Sequence, residues 1–348
     1  MPLTPLQIGP MHIDFPVVQA ALSGYSDWPM RTIAHRLGAP FTIAEVMLER
    51  FILEVSKGRH ASRFLRAGDG EFPCGAQLMG SQADDFTVAA EKMVDAGFDL
   101  IDINFGCPVR KVLGKCRGGY LLSTPREALE IVGRVRDALP ARVPVTVKMR
   151  RGMDDNQESL DNFYAIFDGA FRLGAAAITV HGRTVRQRYE GKSSWRFLRE
   201  IKRHAGPRTV LGSGDLFNAR DCLDMLAQTG VDGVTVARGA IGNPWIFQQV
   251  RALAAGEPVP VPSLHQQREV LREHFRLAEQ THGPRRCCAM LRKFGIKYAR
   301  LHPRADEVRR AFVEVAEPSE WHAVLQRWYA DDLPGVPPGG REEATPFV

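Results

Sequence analysis

Short apolar runs alternate with longer amphipathic segments along the chain before residue 256. Eight of these runs are rich in Val, Ile or Thr, and several lack polar alternation, as expected for strands covered on both faces. The predicted strands are 15–22, 41–46, 73–79, 99–105, 144–149, 176–182, 208–214 and 232–238. Helices are predicted between them at 83–96, 125–139, 159–173 and 217–229. The last of these follows Asp215 and ends at Gly230, which suit a helix start and stop.

This alternation predicts an α/β fold, a (β/α)8 TIM barrel rather than a doubly wound sheet. The placement of polar residues favours the barrel, because they stand at or just past the C-terminal ends of the predicted strands. In a barrel these ends meet at one mouth, where catalytic groups are expected. The residues are Gln77, Asn104, Cys107, Lys148, His181, Ser213 and Arg238.

The pattern changes at the Pro-rich segment GEPVPVPS, residues 256–263. Beyond it the spacing of apolar residues is helical, with no clear strand. The last residues, 334–348, are rich in Pro and Gly and are expected to be loose or to lie over the surface. We therefore predict a barrel over 1–255, a linker, an all-helical domain over 264–333 and a tail.

Composition narrows the class of protein. The 348 residues are 44% apolar, as in soluble globular proteins, and no run approaches the roughly 20 apolar residues of a membrane helix. The N-terminus has no basic segment followed by an apolar core, so a cytoplasmic protein is expected. The six cysteines form no CxxC pair and have no accompanying His cluster, which predicts no metal site. The net charge of +6 slightly favours an anionic partner such as RNA.

The block 102–108, DINFGCP, carries the first candidate chemistry. Cys107 follows a strand and a glycine and is close to Arg110 and Lys111, a position where a thiol can be tuned. The alternative is a small buried cysteine with a packing role only. Asn104 could hold an amide-bearing ring through paired donor and acceptor bonds.

Two further strand ends carry cationic or titratable groups. Lys148 ends an apolar strand, so its ammonium must reach the mouth or pair with a charge, although an exposed edge position remains the alternative. His181 ends the next strand, beside Arg183. A lone His is usually structural, but one beside the lysine strand suggests a shared ligand.

The loops after the last two predicted strands are Gly-rich, at 212–215 and 237–244. In many barrels these loops form a phosphate site, in which Gly lets backbone N–H groups approach the oxygens. Arg238 would add a bidentate charge. Either loop alone would be weak evidence, whereas the pair is stronger.

The predicted helical domain contains a basic segment. Between residues 285 and 310 there are nine Lys and Arg residues against two acidic ones. Arg292, Lys293, Lys297 and Arg300 recur at helical spacing, with aromatic residues between them. Such a face suits phosphate contacts along a folded RNA, and a merely solvated helix face is the alternative.

Taken together, these segments resemble the tRNA-dihydrouridine synthases, most closely the bacterial B-type branch. The similarity runs from about residue 12 to 300, and the DINxGCP, HGRT and RGAxGNPWIF motifs in this order make it specific. The matching blocks are 21–31, 76–81, 102–108, 145–152, 180–184, 212–216 and 237–247.

The resemblance implies site residues by position. The family's proton-donating cysteine falls on Cys107, Asn104 matches the residue that faces uracil, and the HGRT block places Arg183 near the substrate. The implied FMN contacts are Ala21, Leu22, Ser23, Gln77, Lys148 and His181, with Ser213, Gly214, Asp215, Ala237 and Arg238 at the phosphate end. The basic positions named above would bind tRNA.

The resemblance also implies a mechanism. NADPH would reduce the flavin, which passes hydride to C6 of uracil, and Cys107 would protonate C5 from the opposite side. Lys148 and His181 would hold the ring edge and stabilise the reduced, anionic flavin. The target uridine would have to leave its stack. The family is generally monomeric.

This chain departs from the family at a few positions. It has Ala21-Leu22 in place of Pro-Met, Ser213-Gly214 in place of Asn-Gly, and Ala237 in place of Gly. The loop 113–122, with Cys116 and Tyr120, is also unusual. Two other hypotheses therefore stay open: a flavin barrel that reduces a free pyrimidine or small enone, and a non-catalytic RNA-binding relative.

Overall fold

Parallel strands form the centre of the molecule. The computed structural model describes residues 3–55, 64–68 and 73–339. Within these residues, eight parallel strands pair in sequence order and close on themselves, so the predicted TIM barrel is confirmed. They are β3 (Val17–Gln19), β4 (Thr42–Ile43), β6 (Cys74–Met79), β7 (Leu100–Phe105), β8 (Val145–Arg150), β9 (Ala177–His181), β10 (Val210–Ser213) and β11 (Gly233–Val236).

The first two predicted strands are shorter than expected. Only Val17–Gln19 of the run 15–22 is a strand, so residues 20–22 already belong to the mouth of the barrel. The run 41–46 is interrupted, and β5 (Met47–Leu48) follows as a separate strand that pairs with β6. Both segments were predicted as longer strands because they are apolar. Most of their residues are buried, but only a few of them pair as strands.

An N-terminal hairpin, β1 (Leu6–Ile8) and β2 (Met11–Ile13), was not predicted. Its apolar side chains Leu6, Ile8 and Ile13 pack with inward-facing barrel residues such as Val18 and Leu100. They close the end of the barrel opposite the mouth. Three-residue strands are too short to show a period, which is why the hairpin leaves no pattern in the sequence.

Helices surround the barrel, and all of them except the shortest, residues 110–113, contain buried residues. They are α1 (Trp28–Arg36), α2 (Glu49–Glu54), α3 (Ala83–Asp95), α4 (Arg110–Leu113), α5 (Pro125–Ala138), α6 (Gln157–Arg172), α7 (Trp195–Ala205), α8 (Ala219–Thr229) and α9 (Ile246–Ala255). The start of α8 differs from the prediction. Asn218, not Asp215, caps this helix, in a reciprocal bond with Asp221, whereas Gly230 ends it in the left-handed conformation as predicted.

The C-terminal part is helical, as predicted. It consists of α10 (Leu264–His282), α11 (Pro284–Tyr298), α12 (Ala305–Glu314) and α13 (Pro318–Trp328). Ser263 caps α10 in a capping box with Gln266, so the extended segment 257–263 ends where the helix begins. The division of the chain into separate domains stays a prediction.

The part of the tail that the structure describes, residues 334–339, lies over the surface and is anchored there, which is the second of the two expected arrangements. The carbonyl of Leu333 accepts a bond from the N–H of Leu264, and the N–H of Val336 donates to the carbonyl of Leu301. A Cβ on Gly335 would lie 2.2 Å from the carbonyl oxygen of Pro262, so the chain passes close to the linker here. The rest of the predicted tail, 340–348, lies outside the described residues.

In the described segments, no helix is both long and apolar enough to cross a membrane. Nor do His, Cys, Asp or Glu side chains of these segments gather in threes in a way that could hold a metal ion.

Candidate active site

A cavity of about 390 Å³ opens at the C-terminal end of the barrel strands. All eleven residues predicted to contact a flavin line it, together with Cys107 and Asn104. Those eleven are Ala21, Leu22, Ser23, Gln77, Lys148, His181, Ser213, Gly214, Asp215, Ala237 and Arg238. The structure thus brings into one place side chains that are up to 217 positions apart in the sequence.

Strand register explains this convergence. Asn104 pairs with Lys148 across β7 and β8, and Ser213 pairs with His181 across β10 and β9. Because side chains alternate across a strand, the inward-facing ones of neighbouring strands form a layer inside the barrel. This layer is the floor of the cavity.

Cys107 lies on the turn that follows β7. The side-chain oxygen of Asn104 accepts hydrogen bonds from the N–H groups of Gly106 (2.9 Å) and Cys107 (3.1 Å), which fixes the turn. Burial raises the pKa of the Cys107 thiol, although a backbone bond and the nearby cations Arg150 and Lys148 oppose this. At neutral pH the sulfur therefore keeps its proton, which suits a proton donor better than a nucleophile.

The unusual loop 113–122 packs directly against this turn. Gly118 has a φ of +58°, and a Cβ there would lie 2.8 Å from the Cβ of Cys107. The N–H of Gly119 donates to the carbonyl of Cys107 at 3.1 Å. The two glycines therefore allow the close approach that supports the turn. Tyr120 is partly exposed and does not line the cavity, and Cys116 is exposed.

Lys148 and His181 differ in charge. Burial lowers the pKa of Lys148 to about 8, with Arg150 acting in the same direction, so the ammonium is still charged at pH 7. Burial and four surrounding cations lower the pKa of His181 well below its ordinary value, which keeps the imidazole neutral. Its Nδ1 accepts from the N–H of Arg183 (3.2 Å), so the ring proton is on Nε2. The cavity is thus lined by one ammonium and one neutral N–H donor.

Arg183 and Ser193 hold the turn after β10 through Asp215. Asp215, with a φ of +59°, accepts two bonds of 2.7 Å from the guanidinium of Arg183 and one of 2.7 Å from the N–H of Ser193. Arg238 lies 3.9 Å from the same carboxylate. A Cβ on Gly214 would lie 2.5 Å from the Oγ of Ser193, so a side chain has no room there.

Arg183 itself is not among the residues that line the cavity, and its place beside the substrate stays a prediction. Its side chain is fully buried, and it also donates to the carbonyls of Glu190 and Gly191. Arg183 thereby positions Asp215 and the loop around residue 190.

Asn104 also differs from the expectation of paired donor and acceptor bonds to a ligand. Its oxygen is occupied by two backbone N–H groups, and its Nδ2 donates to the Oε1 of Gln77 at 2.7 Å. Only the second hydrogen on Nδ2 is left for a ligand.

The cavity also contains residues that sequence reasoning missed. Arg150 donates to the carbonyls of Gly106 (2.9 Å) and Thr184 (2.8 Å), and its position two residues after Lys148 on the same strand could have indicated it. Tyr189 is 48% exposed, with the guanidinium groups of Arg150 and Arg238 at 5.8 and 5.2 Å from its ring. Tyr189 lies in a loop, so no period in the sequence points to it.

A second cavity of about 480 Å³ adjoins the first, and Arg238 lines both. It lies between the loop after β11 and the C-terminal helices. Besides Arg238, its lysine and arginine residues are Lys297, Arg300 and Arg309, and Asp306 is its acidic residue. Burial and three neighbouring arginines lower the pKa of Lys297, which shows how closely the positive charges are gathered.

The other two predicted basic residues lie elsewhere. Arg292 is exposed and lines neither cavity. Lys293 donates to the carbonyl of Gly24 in the loop that carries Leu22 and Ser23, and its Nζ is 4.6 Å from the ring centre of Tyr25. Lys293 thus joins α11 to the barrel, and its contact with RNA stays a prediction. The side chain of Arg285 lies outside the described residues.

A second contact supports this junction. His282, at the end of α10, bonds the carboxylate of Asp27 at 2.8 Å, and both side chains are nearly buried. The N–H of Gly24 donates to Glu45 at 2.8 Å. The C-terminal helices therefore hold the loop 22–27, one wall of the first cavity, in place.

Comparison with known proteins identifies the family. The model of the family described as dihydrouridine synthase matches residues 18–332 of this chain. The chain belongs to the dihydrouridine synthase family. The match extends through both the barrel and the C-terminal helices, and this is a family of oxidoreductases, so the resemblance noted in the sequence is confirmed.

Individual relatives match over nearly their whole length. The chain is 35% identical over 339 residues to the tRNA-dihydrouridine synthase B of Xanthomonas axonopodis pv. citri, covering 96% of this chain and 98% of the relative. It is 32% identical to a probable tRNA-dihydrouridine synthase of Rickettsia typhi, covering 88% and 92%. A probable tRNA-dihydrouridine synthase of Mycobacterium tuberculosis is also 32% identical, covering 94% and 85%.

Among solved structures, histamine dehydrogenase from Rhizobium sp. 4-9 has a TM-score of 0.56 and 15% identity. The likeness covers 77% of this chain and spans half of the length of that protein. It concerns the fold alone.

Proposed function

We propose that this protein is an FMN-dependent enzyme that uses NADPH to reduce specific uridines of tRNA to 5,6-dihydrouridine. Family membership and relatives with that name support the reaction class. The observation that carries the proposal is the convergence of Cys107 and all eleven expected flavin positions on one cavity. A monomeric state and a cytoplasmic location belong to the same proposal.

The cavity fits a flavin in size and chemistry. Its volume falls within the range of about 300–1,000 Å³ that is typical of ligand pockets. Leu22, Leu216 and Phe217 offer apolar surface to a ring system. The hydroxyl of Thr235 is buried against the cavity with no hydrogen-bond partner among the described residues, as expected where a ligand supplies one.

Within this cavity Lys148 and His181 would hold the polar edge of the flavin ring, and Arg238 with the turn at Gly214 would hold the phosphate. When bound and reduced by NADPH, the flavin would supply the hydride that adds to C6 of uracil. A charged Lys148 favours negative charge on the ring, and the neutral His181 adds an N–H donor but no charge of its own.

Cys107 would complete the reduction by giving its proton to C5. The raised pKa of the thiol keeps that proton in place at neutral pH. Arg150 and Tyr189, at the cavity beside Cys107, would contact the uracil that has left its stack.

tRNA would enter over the second cavity. Its cations Lys297, Arg300 and Arg309 suit backbone phosphates, and the shared Arg238 places them next to the flavin cavity. A small free substrate would gain nothing from this surface, which favours tRNA over a free pyrimidine.

The visible spectrum of the purified protein, before and after anaerobic addition of NADPH, tests the cofactor. We expect an oxidised-flavin band that bleaches. Next, tRNA from a strain that lacks the enzyme is incubated with the purified protein and NADPH. Mass spectrometry of this tRNA should show uridines that have gained two hydrogen atoms. In Cys107→Ala the band should still bleach, while product formation falls at least about 100-fold.

Cys116→Ala is the matched control, because this exposed cysteine lies in the loop packed against the Cys107 turn and should leave the rate unchanged. Turnover of free uracil without tRNA binding would instead favour the small-substrate barrel. A protein that stays colourless when offered FMN but binds tRNA would favour a non-catalytic relative.

A further inference from the structure

A chain of buried polar side chains runs from the Cys107 turn into the barrel. The Nδ2 of Asn104 donates to the Oε1 of Gln77 at 2.7 Å, and the Nε2 of Gln77 donates to the Oδ2 of Asp102 at 2.6 Å. The other oxygen of Asp102 accepts from the hydroxyl of Thr146 at 2.7 Å. Asp102 and Gln77 are 1% exposed and Asn104 is 8% exposed, so bulk water cannot replace these bonds.

The backbone determines the direction of this chain. The N–H groups of Gly106 and Cys107 can only donate, so Asn104 must present its oxygen to both and its amide nitrogen to Gln77. Gln77 must then present its oxygen to Asn104 and its nitrogen to Asp102. The chain consequently needs an acceptor at its inner end, and Asp102 provides it.

Thr146 allows the inner end of the chain to keep its hydrogen bonds whether Asp102 is protonated or not. Burial raises the pKa of Asp102, while its two hydrogen bonds and nearby Lys148 act in the opposite direction. A hydroxyl can donate or accept, so Thr146 can face either a bare oxygen or a protonated one. In both states the oxygen that faces Gln77 remains an acceptor.

We propose that Asp102 is a positioning residue: it supplies the acceptor that holds the Gln77–Asn104 amide chain in the direction given by the backbone, and thereby supports the turn that carries Cys107. As a second consequence, Asn104 can offer only an N–H donor to the cavity, since its oxygen already accepts two hydrogen bonds. This donor suits an acceptor atom of a ligand, such as a carbonyl oxygen. The proposal rests on the proposed function only for the use to which Cys107 is put.

Two neutral variants of similar size test whether Asp102 acts through its acceptor oxygen or through its charge. Asp102→Asn keeps an oxygen towards Gln77, while its Nδ2 can donate to the hydroxyl of Thr146. Asp102→Leu removes the acceptor, so the nitrogen of Gln77 loses its partner and the Gln77 amide is free to rotate away from Asn104. The readout is the alkylation rate of Cys107 by iodoacetamide between pH 7 and 10, measured on the peptide that contains it.

We expect the leucine variant to change the Cys107 rate by about tenfold or to move its midpoint by about one pH unit, and the asparagine variant to stay within about twofold of wild type. Exposed Cys116, measured in the same digest, should react equally in all proteins. Equal Cys107 profiles for the two variants would overturn the proposal.

A charge exchange protects the test against a leucine variant that does not fold. Gln77→Glu alone places two carboxylates opposite each other and should disturb Cys107. Adding Asp102→Asn restores one donor and one acceptor at that contact and still gives Asn104 an acceptor, so the double variant should recover the wild-type profile. Failure to recover would contradict the proposal. Because alkylation needs neither flavin nor tRNA, these outcomes are independent of the proposed reaction.

Discussion

The mouth of the barrel and helix α11 both carry residues that the sequence pattern selected, yet the structure treats the two sets differently. At the mouth, all eleven predicted flavin positions line one cavity. On and just after α11, the four predicted cations separate: Arg292 faces solvent, Lys293 bonds the barrel, and Lys297 and Arg300 line the second cavity.

The difference follows from how each position is determined. At a strand end, the closure of the barrel and the alternation of side chains leave one direction for an inward residue, so a motif on a predicted strand defines its place. On a helix, spacing defines a face but not what that face meets. Lys293 follows the same period as its neighbours, and the loop at Gly24 happens to lie opposite it.

Lys148→Met should give the largest effect among the cations, because its ammonium is buried in the cavity. Loss of a charged hydrogen bond, worth about 1.5–3 kcal/mol, should weaken FMN binding by about 10- to 100-fold. Since the pKa of Lys148 is about 8 in the unliganded protein, the affinity of the wild type should fall as the pH rises above 8. Titration of the apoprotein with FMN from pH 7 to 9.5 measures both.

Lys148→Arg is the control, because arginine keeps its charge through this range and should flatten the dependence on pH. A wild-type affinity that does not change up to pH 9.5 would show that the charge of Lys148 is not used in flavin binding.

Much of this site was available from the sequence, for a reason that the barrel makes clear. Cys107, Lys148 and His181 lie within two residues of the C-terminal ends of β7, β8 and β9, which the sequence shows as apolar runs. The place of Tyr189 could not be predicted in this way, because this residue lies in a loop that Arg183 holds through the backbone of residues 190 and 191. The structural role of Arg183 could not be predicted either, because its partner Asp215 lies 32 positions further along the chain.

The junction between the C-terminal helices and the barrel gives the second prediction. Lys293→Met keeps the length of the side chain but removes its bond to Gly24 and leaves Asp27 and Glu45 without this neighbouring cation. We expect the free energy of unfolding to fall by about 1–3 kcal/mol and flavin affinity to fall with it, because the loop 22–27 loses a support. Thermal unfolding with and without FMN measures the effect.

Arg292→Met is the matched change, one residue away and exposed, and should stay within about 0.5 kcal/mol of wild type. Equal losses of stability in the two variants would contradict the assignment of Lys293 to the junction.

The smallest expected effect sharpens the comparison within the basic region itself. Arg309 lines the second cavity, whereas Arg292 does not, although both are exposed. Arg309→Gln should therefore make the slope of log affinity for tRNA against log salt concentration less steep by about 0.7–1, the change expected for one phosphate contact. Arg292→Gln should leave the slope unchanged.

Binding measured between 50 and 200 mM salt would resolve the difference of about threefold that such a slope implies. If Arg292→Gln lowered the slope as much as Arg309→Gln, the RNA would have to extend over the outer face of α11, and the periodic pattern of cations would be a better guide to the interface than the cavity.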